Sequence, residues 1–214
     1  MKIVISCSNS KNGNKLLYKN NEISFVSSPS KESKNYFNPD DKIPNENRTW
    51  REYINYQDNY ELLKSFELYK PSIYNSLYEK YGNDLYILSA GWGIVNSEFK
   101  IPKYDITFSK NAEKRLQRNT NDNYNDFNHL EKIDPSEKIF FLGGLDYLKM
   151  FYNLTKDLPN KKIIFYKNAK IYNEFPFLNN DKLISLFQYQ TNMRTNWHYK
   201  CAKDLMNNNI KWNS

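Results

Sequence analysis

Apolar residues recur along the chain in two periods, and their alternation outlines a fold. Four short runs rich in β-branched and aromatic residues read as strands: Lys2–Cys7 (KIVISC), Asp84–Ala90 (DLYILSA), Glu137–Gly144 (EKIFFLGG) and Lys161–Lys167 (KKIIFYK). A weaker fifth covers Lys182–Gln188 (KLISLFQ). The first four are apolar on both faces, the pattern of parallel strands covered by helices. Between them, apolar residues step by three and four, which predicts helices over Thr49–Tyr69, Ser72–Gly82, Leu145–Leu158 and Trp197–Asn209. Pro71 suits the start of the second helix and Gly82 its end. Strands alternating with helices predict an α/β, three-layer sandwich around a mainly parallel sheet of four to five strands.

Two polar stretches break the pattern. Residues 19–48 carry Pro29, Pro39 and Pro44 and read as a long surface loop with a short hairpin at EISFVSS. Residues 109–136 are charged, with a helix expected at KNAEKRLQR. Loops this long in one domain are usually functional lids or disordered. The chain of 214 residues therefore reads as a single α/β domain with two insertions.

Composition narrows the class of partner. A net charge of +7 fits a polyanion, and 18 Tyr and 13 Phe interleaved with Lys and Arg offer faces on which bases stack. AT-rich coding gives the same Lys, Asn and Tyr bias. No run of about 20 apolar residues exists to span a membrane. The chain starts with one Lys and a short apolar run, unlike a secretory signal, so the cytoplasm is the expected location. Cys7 and Cys201 have no metal-ligand spacing but can form one disulfide; with only His129 and His198 besides, no metal and no cofactor are expected.

In open parallel sheets, ligands bind beyond the carboxyl ends of the strands. The first strand ends in Cys7, Ser8, Asn9, Ser10 and Lys11, which form either a helix-capping turn or the wall of a site. Ser89 precedes Gly91-Trp92-Gly93, and Trp92 reads as either a core aromatic or a stacking platform. Further along, Tyr104-Asp105 sets an aromatic beside a carboxylate after Pro102. Gly143-Gly144 leads straight into a helix, as in phosphate-binding turns or in tight strand-to-helix packing. Arg194 and His198 can close the pocket from the last helix.

The CSxSK turn, the stretch YILSAGWGIVNSEFKIPKYDITF and the later GG-Y segment together resemble the YaaA-like family and its relatives. The resemblance places Cys7, Ser8 and Lys11 on the first turn, Ser89, Gly93, Pro102, Tyr104 and Asp105 on the middle motif, and Gly144 and Tyr147 on the third. It implies DNA binding, an association with base-modification and tRNA-ribosyltransferase machinery, and a layout similar to the uracil-DNA-glycosylase fold. Two departures stand against the glycosylase signature: the first loop lacks Gly-x-Asp/Glu-Pro, and no His-Pro-Ser-Pro occurs near the end. Asn9 takes the water-positioning role, and His198 that of the terminal His, only by analogy.

The expected function is an N-glycosidase that removes a base from DNA, including modified bases of phage genomes, in repair or defence. Asp105 and Asn9 are the expected catalytic residues. Trp92 or Tyr104 would stack on the base, with Ser8, Ser89, Gly143 and Gly144 holding base edges or phosphate and Lys11 and Arg194 contacting phosphates. Two alternatives stay open: a non-catalytic DNA-binding stress or defence protein, and an enzyme acting on free nucleotides or tRNA bases.

Overall fold

The computed structural model describes residues 1–30, 34–56, 61–119 and 121–210. In chain order its strands are β1 (Lys2–Ser6), β2 (Leu16–Tyr18), β3 (Asn21–Phe25), β4 (Tyr36–Phe37), β5 (Leu85–Ser89), β6 (Gly93–Asn96), β7 (Phe127–Asn128), β8 (Ile139–Leu142), β9 (Lys162–Tyr166) and β10 (Ile184–Gln188). The α-helices are α1 (Trp50–Tyr56), α2 (Ser65–Leu68), α3 (Ile73–Tyr81), α4 (Leu145–Thr155), α5 (Lys170–Glu174) and α6 (Trp197–Met206).

The architecture is α/β around a seven-stranded sheet ordered β10-β9-β8-β1-β5-β6-β7. Strand β1 lies inside it, parallel to β5 and β8, with Ile3, Val4 and Ile5 fully buried. Burial on both faces explains why its sequence does not alternate. Strands β9 and β10 extend the parallel array beyond β8. Taken in chain order, the five parallel strands thus lie 2-1-3-4-5. From β1 the chain moves toward β5, whereas from β8 it moves the opposite way to β9. The outgoing loops part between β1 and β8, opening a crevice at their carboxyl ends. Helices α3 and α6 pack together, and right-handed crossovers place α4 on the other face.

The sheet is wider than the four to five strands expected. Strand β6 pairs antiparallel with β5 after the three-residue turn Ala90-Gly91-Trp92, and β7, from the 109–136 insertion, pairs parallel with β6. Gly93 permits this: its φ is +94°, and a Cβ there would lie 2.3 Å from the Phe127 carbonyl oxygen. The helix expected at 110–118 is replaced by a single 3₁₀ turn at Lys114–Leu116. Its backbone groups are engaged elsewhere: the Thr107 N–H donates to Leu116 O (2.9 Å) and the Arg118 N–H to Thr107 O (2.8 Å). The 19–48 stretch contributes to a small sheet β2-β3-β4, whose hairpin turns at Lys19-Asn20 with φ of 47° and 64°. The helix expected over Thr49–Tyr69 is two pieces, α1 and α2; residues 57–60 of that stretch lie outside the described residues.

Candidate active site at the sheet switch point

A cleft of about 610 Å³ opens at the crevice between β1 and β8. Ser6 at the end of β1 and Cys7, Ser8 and Asn9 after it form one wall, and Gly144, Asp146 and Tyr147 line it from the start of α4. The segment Thr107–Asn111 adds another wall, and Asn196, His198 and Tyr199 at the start of α6 complete it. A volume in the range of small-molecule sites, at the position where doubly wound sheets bind ligands, marks it as the principal candidate. A smaller cleft of about 190 Å³, lined by Gly143, Lys167 and Arg194, shares Gly144 with it.

The first turn is built by local hydrogen bonds. Ser8 Oγ accepts from the Ser10 N–H at 3.2 Å, a serine turn that stops β1 from continuing. Beyond it the chain runs against the α2–α3 connection, where the Lys70 N–H donates to Ser10 O (3.1 Å) and the Asn12 N–H to Leu68 O (2.6 Å). Asn9 is held by Thr107, whose hydroxyl donates to Asn9 Oδ1 at 3.2 Å.

Beneath the cleft lies a nest of hydroxyl groups around one thiol. Tyr104 Oη donates to Cys7 Sγ at 3.3 Å, and Tyr147 Oη lies 3.2 Å from the same sulfur. Ser89 Oγ donates to Tyr104 Oη (2.8 Å), and Tyr69 Oη is 3.0 Å from it. Lys11, only 8% exposed, places its Nζ 4.1 Å from the centre of the Tyr104 ring. Burial pushes the Lys11 ammonium pKa down, while Cys7 and Asp105 pull it up. Burial also raises the phenol pKa values of Tyr69, Tyr104 and Tyr147 well above the ordinary tyrosine range. At the cleft wall, desolvation lowers His198 to about 4, so its imidazole is neutral at pH 7; its Nε2 is buried with no partner among the described residues.

The structure brings Cys7, Ser8, Asn9, Gly144, Tyr147 and His198 to one cleft and Gly143 and Arg194 to the adjoining one. Other expected site residues lie elsewhere. Trp92 is fully buried between Phe25 and Phe127 and offers no face to a base. Tyr104 has one ring face under Lys11, with Gly91 packed so closely that a Cβ there would sit 3.0 Å from the ring, so it cannot stack on a base either. Ser89 is fully buried, accepting from the Gly91 and Trp92 N–H groups (3.3 and 3.1 Å). Gly93 serves the sheet edge. Gly143 serves close packing, because a Cβ there would meet the Phe141 ring at 2.5 Å and Ser6 at 3.1 Å. Lys11 contacts the tyrosines instead of reaching the cleft surface.

Asp105 is exposed and absent from the cleft lining. Its N–H donates to Phe25 O at 2.8 Å, which sets Tyr104 inward and Asp105 outward on an extended segment. The carboxylate that does line the cleft is Asp146, in the first turn of α4, which the sequence reading passed over. Its position two residues after Gly144, in the first turn of the helix that Gly143-Gly144 opens, was the available signal. Lys110, Asn196 and Tyr199 were missed for want of any motif, and Thr107 was passed over although it lies within the PKYDITF stretch. The cysteines are both free, so the disulfide expected as one option is not formed. Among the described residues, no three His, Cys, Asp or Glu gather where they could hold a metal ion, and no helix is long and apolar enough to cross a membrane.

No family model, curated protein or solved structure matches the chain.

Proposed function

We propose that the switch-point cleft is the active site of an N-glycosidase that releases a nucleobase from DNA. The observation that carries this reading is the lining itself. A carboxylate (Asp146), an amide held by a neighbouring hydroxyl (Asn9), and a neutral imidazole (His198) share one nucleoside-sized cleft. Breaking a glycosidic bond develops positive charge on the sugar and negative charge on the departing base. Asp146 is suited to steady that cation and to orient water. Asn9 and His198 are suited to the base edge, and the half-buried ring of Tyr147 to stacking. Asp146 and Asn9 thus take the roles for which Asp105 and Asn9 were expected.

DNA is the proposed polymer because the chain carries +7 overall and the cleft region has exposed cations in Lys110 and Arg194. A base in a duplex must be flipped out to enter such a cleft. The layered parallel sheet, with the cleft lined by the segments after β1 and β8, supports this reading.

The test is mass spectrometry of released bases and abasic sites after incubation with plain DNA, phage-type modified DNA and mononucleotides. Base release from DNA should fall at least 100-fold in Asp146→Asn and about tenfold in Asn9→Ala, with Asp105→Asn unchanged. Release from mononucleotides alone would move the reading to free nucleotides. DNA binding with no release from any substrate would leave a binding protein.

A further inference from the structure

The geometry points to Cys7 as a nucleophile, its sulfur held in the cleft as the terminal acceptor of a directed hydrogen-bond chain. The direction follows from the proton inventory. Ser89 Oγ accepts from two backbone N–H groups, Gly91 and Trp92, so its own proton goes to Tyr104 Oη. Tyr104 has one proton, and it points to Cys7 Sγ. With that proton committed, the contact at 3.0 Å requires Tyr69 to donate to Tyr104 as well. Every hydroxyl proton on this side therefore runs toward the sulfur. From the cleft side, Tyr147 Oη is 3.2 Å away and can donate a second bond.

Charge agrees with this direction. Lys11 is 8% exposed, and the groups that favour its charged form are Cys7 first and Asp105 second. The Lys11 ammonium lies over the ring of Tyr104, the residue whose hydroxyl meets the sulfur. Hydroxyl donors and a nearby cation are surroundings in which a cysteine sulfur acts as a nucleophile. Cys201 is the internal contrast: it is fully buried in α6, and burial together with the Asp204 carboxylate pushes its thiol far up.

The choice of electrophile rests on the N-glycosidase reading. Cys7 Sγ forms a bond to C1′ of the deoxyribose as the bond from C1′ to the base nitrogen breaks. The electron pair leaves with the base, which takes a proton from water. A water molecule then attacks C1′, the S–C1′ bond breaks with its pair returning to sulfur, and the proton lost by that water restores the balance. Water is the sole co-reactant.

The first arm is alkylation of the folded protein with iodoacetamide at pH 7, followed by peptide mass spectrometry. Cys7 should be modified at least tenfold faster than Cys201. Tyr104→Phe and Tyr147→Phe should each slow Cys7 alkylation several-fold. A thiol that merely packs there predicts the same or faster alkylation, because each substitution removes bulk beside the sulfur. Should Tyr104→Phe misfold, the half-buried Tyr147→Phe carries the arm alone. Alkylation no faster than at Cys201, or unmoved by loss of the donors, overturns the inference. The second arm is base release by Cys7→Ser, expected to fall at least 100-fold with a Cys7–sugar adduct trapped in the wild type. Undiminished release by Cys7→Ser overturns the nucleophile and leaves the N-glycosidase standing. Fast, donor-dependent alkylation with no base release by the wild type keeps the nucleophile and removes the N-glycosidase.

Discussion

His198 shows how one side chain ties the cleft to stability. It is the second residue of α6, partly buried, and desolvation holds its pKa near 4 against an ordinary 6.5. Between those values the unfolded chain binds a proton that the folded chain does not, so stability is complete above pH 6.5 and declines as pH falls through this window. From pH 7 to pH 5 the loss from this residue is about 2 kcal/mol. Urea unfolding at the two pH values should show that difference in the wild type and its near absence in His198→Gln. His129, lowered in the same direction by its own burial, is common to both proteins and cancels. A variant as pH-sensitive as the wild type would show that His198 is solvated when folded. At this scale the sequence was half legible. Cys7 and Asn9 were placed because the strand ends could be read, and Tyr147 through the resemblance alone; Asp105 was misplaced although its own stretch gave the warning. Tyr104, Ile106 and Phe108 are buried while Asp105 between them is exposed, the period of two that marks one face in and one face out.

The β5–β6 turn is the element that the sequence made conspicuous for the wrong reason. Its glycines and tryptophan suggested a ligand loop, but its three carbonyls are occupied by two buried arginines. Arg51 donates to Gly91 O and Trp92 O, both at 3.1 Å, and Arg118 donates to Ala90 O at 2.8 Å. Asp40 pairs with Arg51 at 2.6 Å and Asp126 with Arg118, which also lies 3.8 Å over the Tyr124 ring. Burial raises the Asp126 pKa even against the arginines, a sign of how far from water the cluster sits. This bears on why 110–118 does not form the expected helix: Arg118, with Asp126, is an anchor reaching the turn from a distant part of the chain. Such pairing is invisible to periodicity, which reads neighbours in sequence. Arg118→Met should cost about 3–5 kcal/mol in urea unfolding, because the buried Asp126 loses its close partner and keeps only Arg51 at 3.9 Å. Arg118→Met with Asp126→Leu should recover at least half of that. Equal losses in the single and double variants would place the energy in the Ala90 bond instead.

For the whole molecule, the order of the parallel strands decides where the cleft lies, and the charge decides what approaches it. The parallel core was legible because doubly buried strands cannot hide among polar neighbours. The antiparallel edge was not, since β7 is two residues long and its pairing depends on Gly93. The charge of +7 was legible in full, but not its placement, which puts Lys110 on the cleft and Arg194 on the adjoining one. If these cations meet a DNA backbone, binding should weaken linearly in log–log terms with salt, by about 0.9 in slope for each phosphate neutralised. Fluorescence anisotropy of a labelled duplex between low and moderate salt measures that slope. Arg194→Ala and Lys110→Ala should each flatten it by about one unit and weaken binding across all sequences alike. Glu22, exposed on β3 in the separate β2-β3-β4 sheet, supplies a control: Glu22→Gln changes the net charge by one unit in the opposite direction, yet should leave the slope unchanged. If Glu22→Gln steepened the slope, or the two cation variants left it unmoved, affinity would follow overall charge instead of the cleft mouth, and the DNA would be docking on another face.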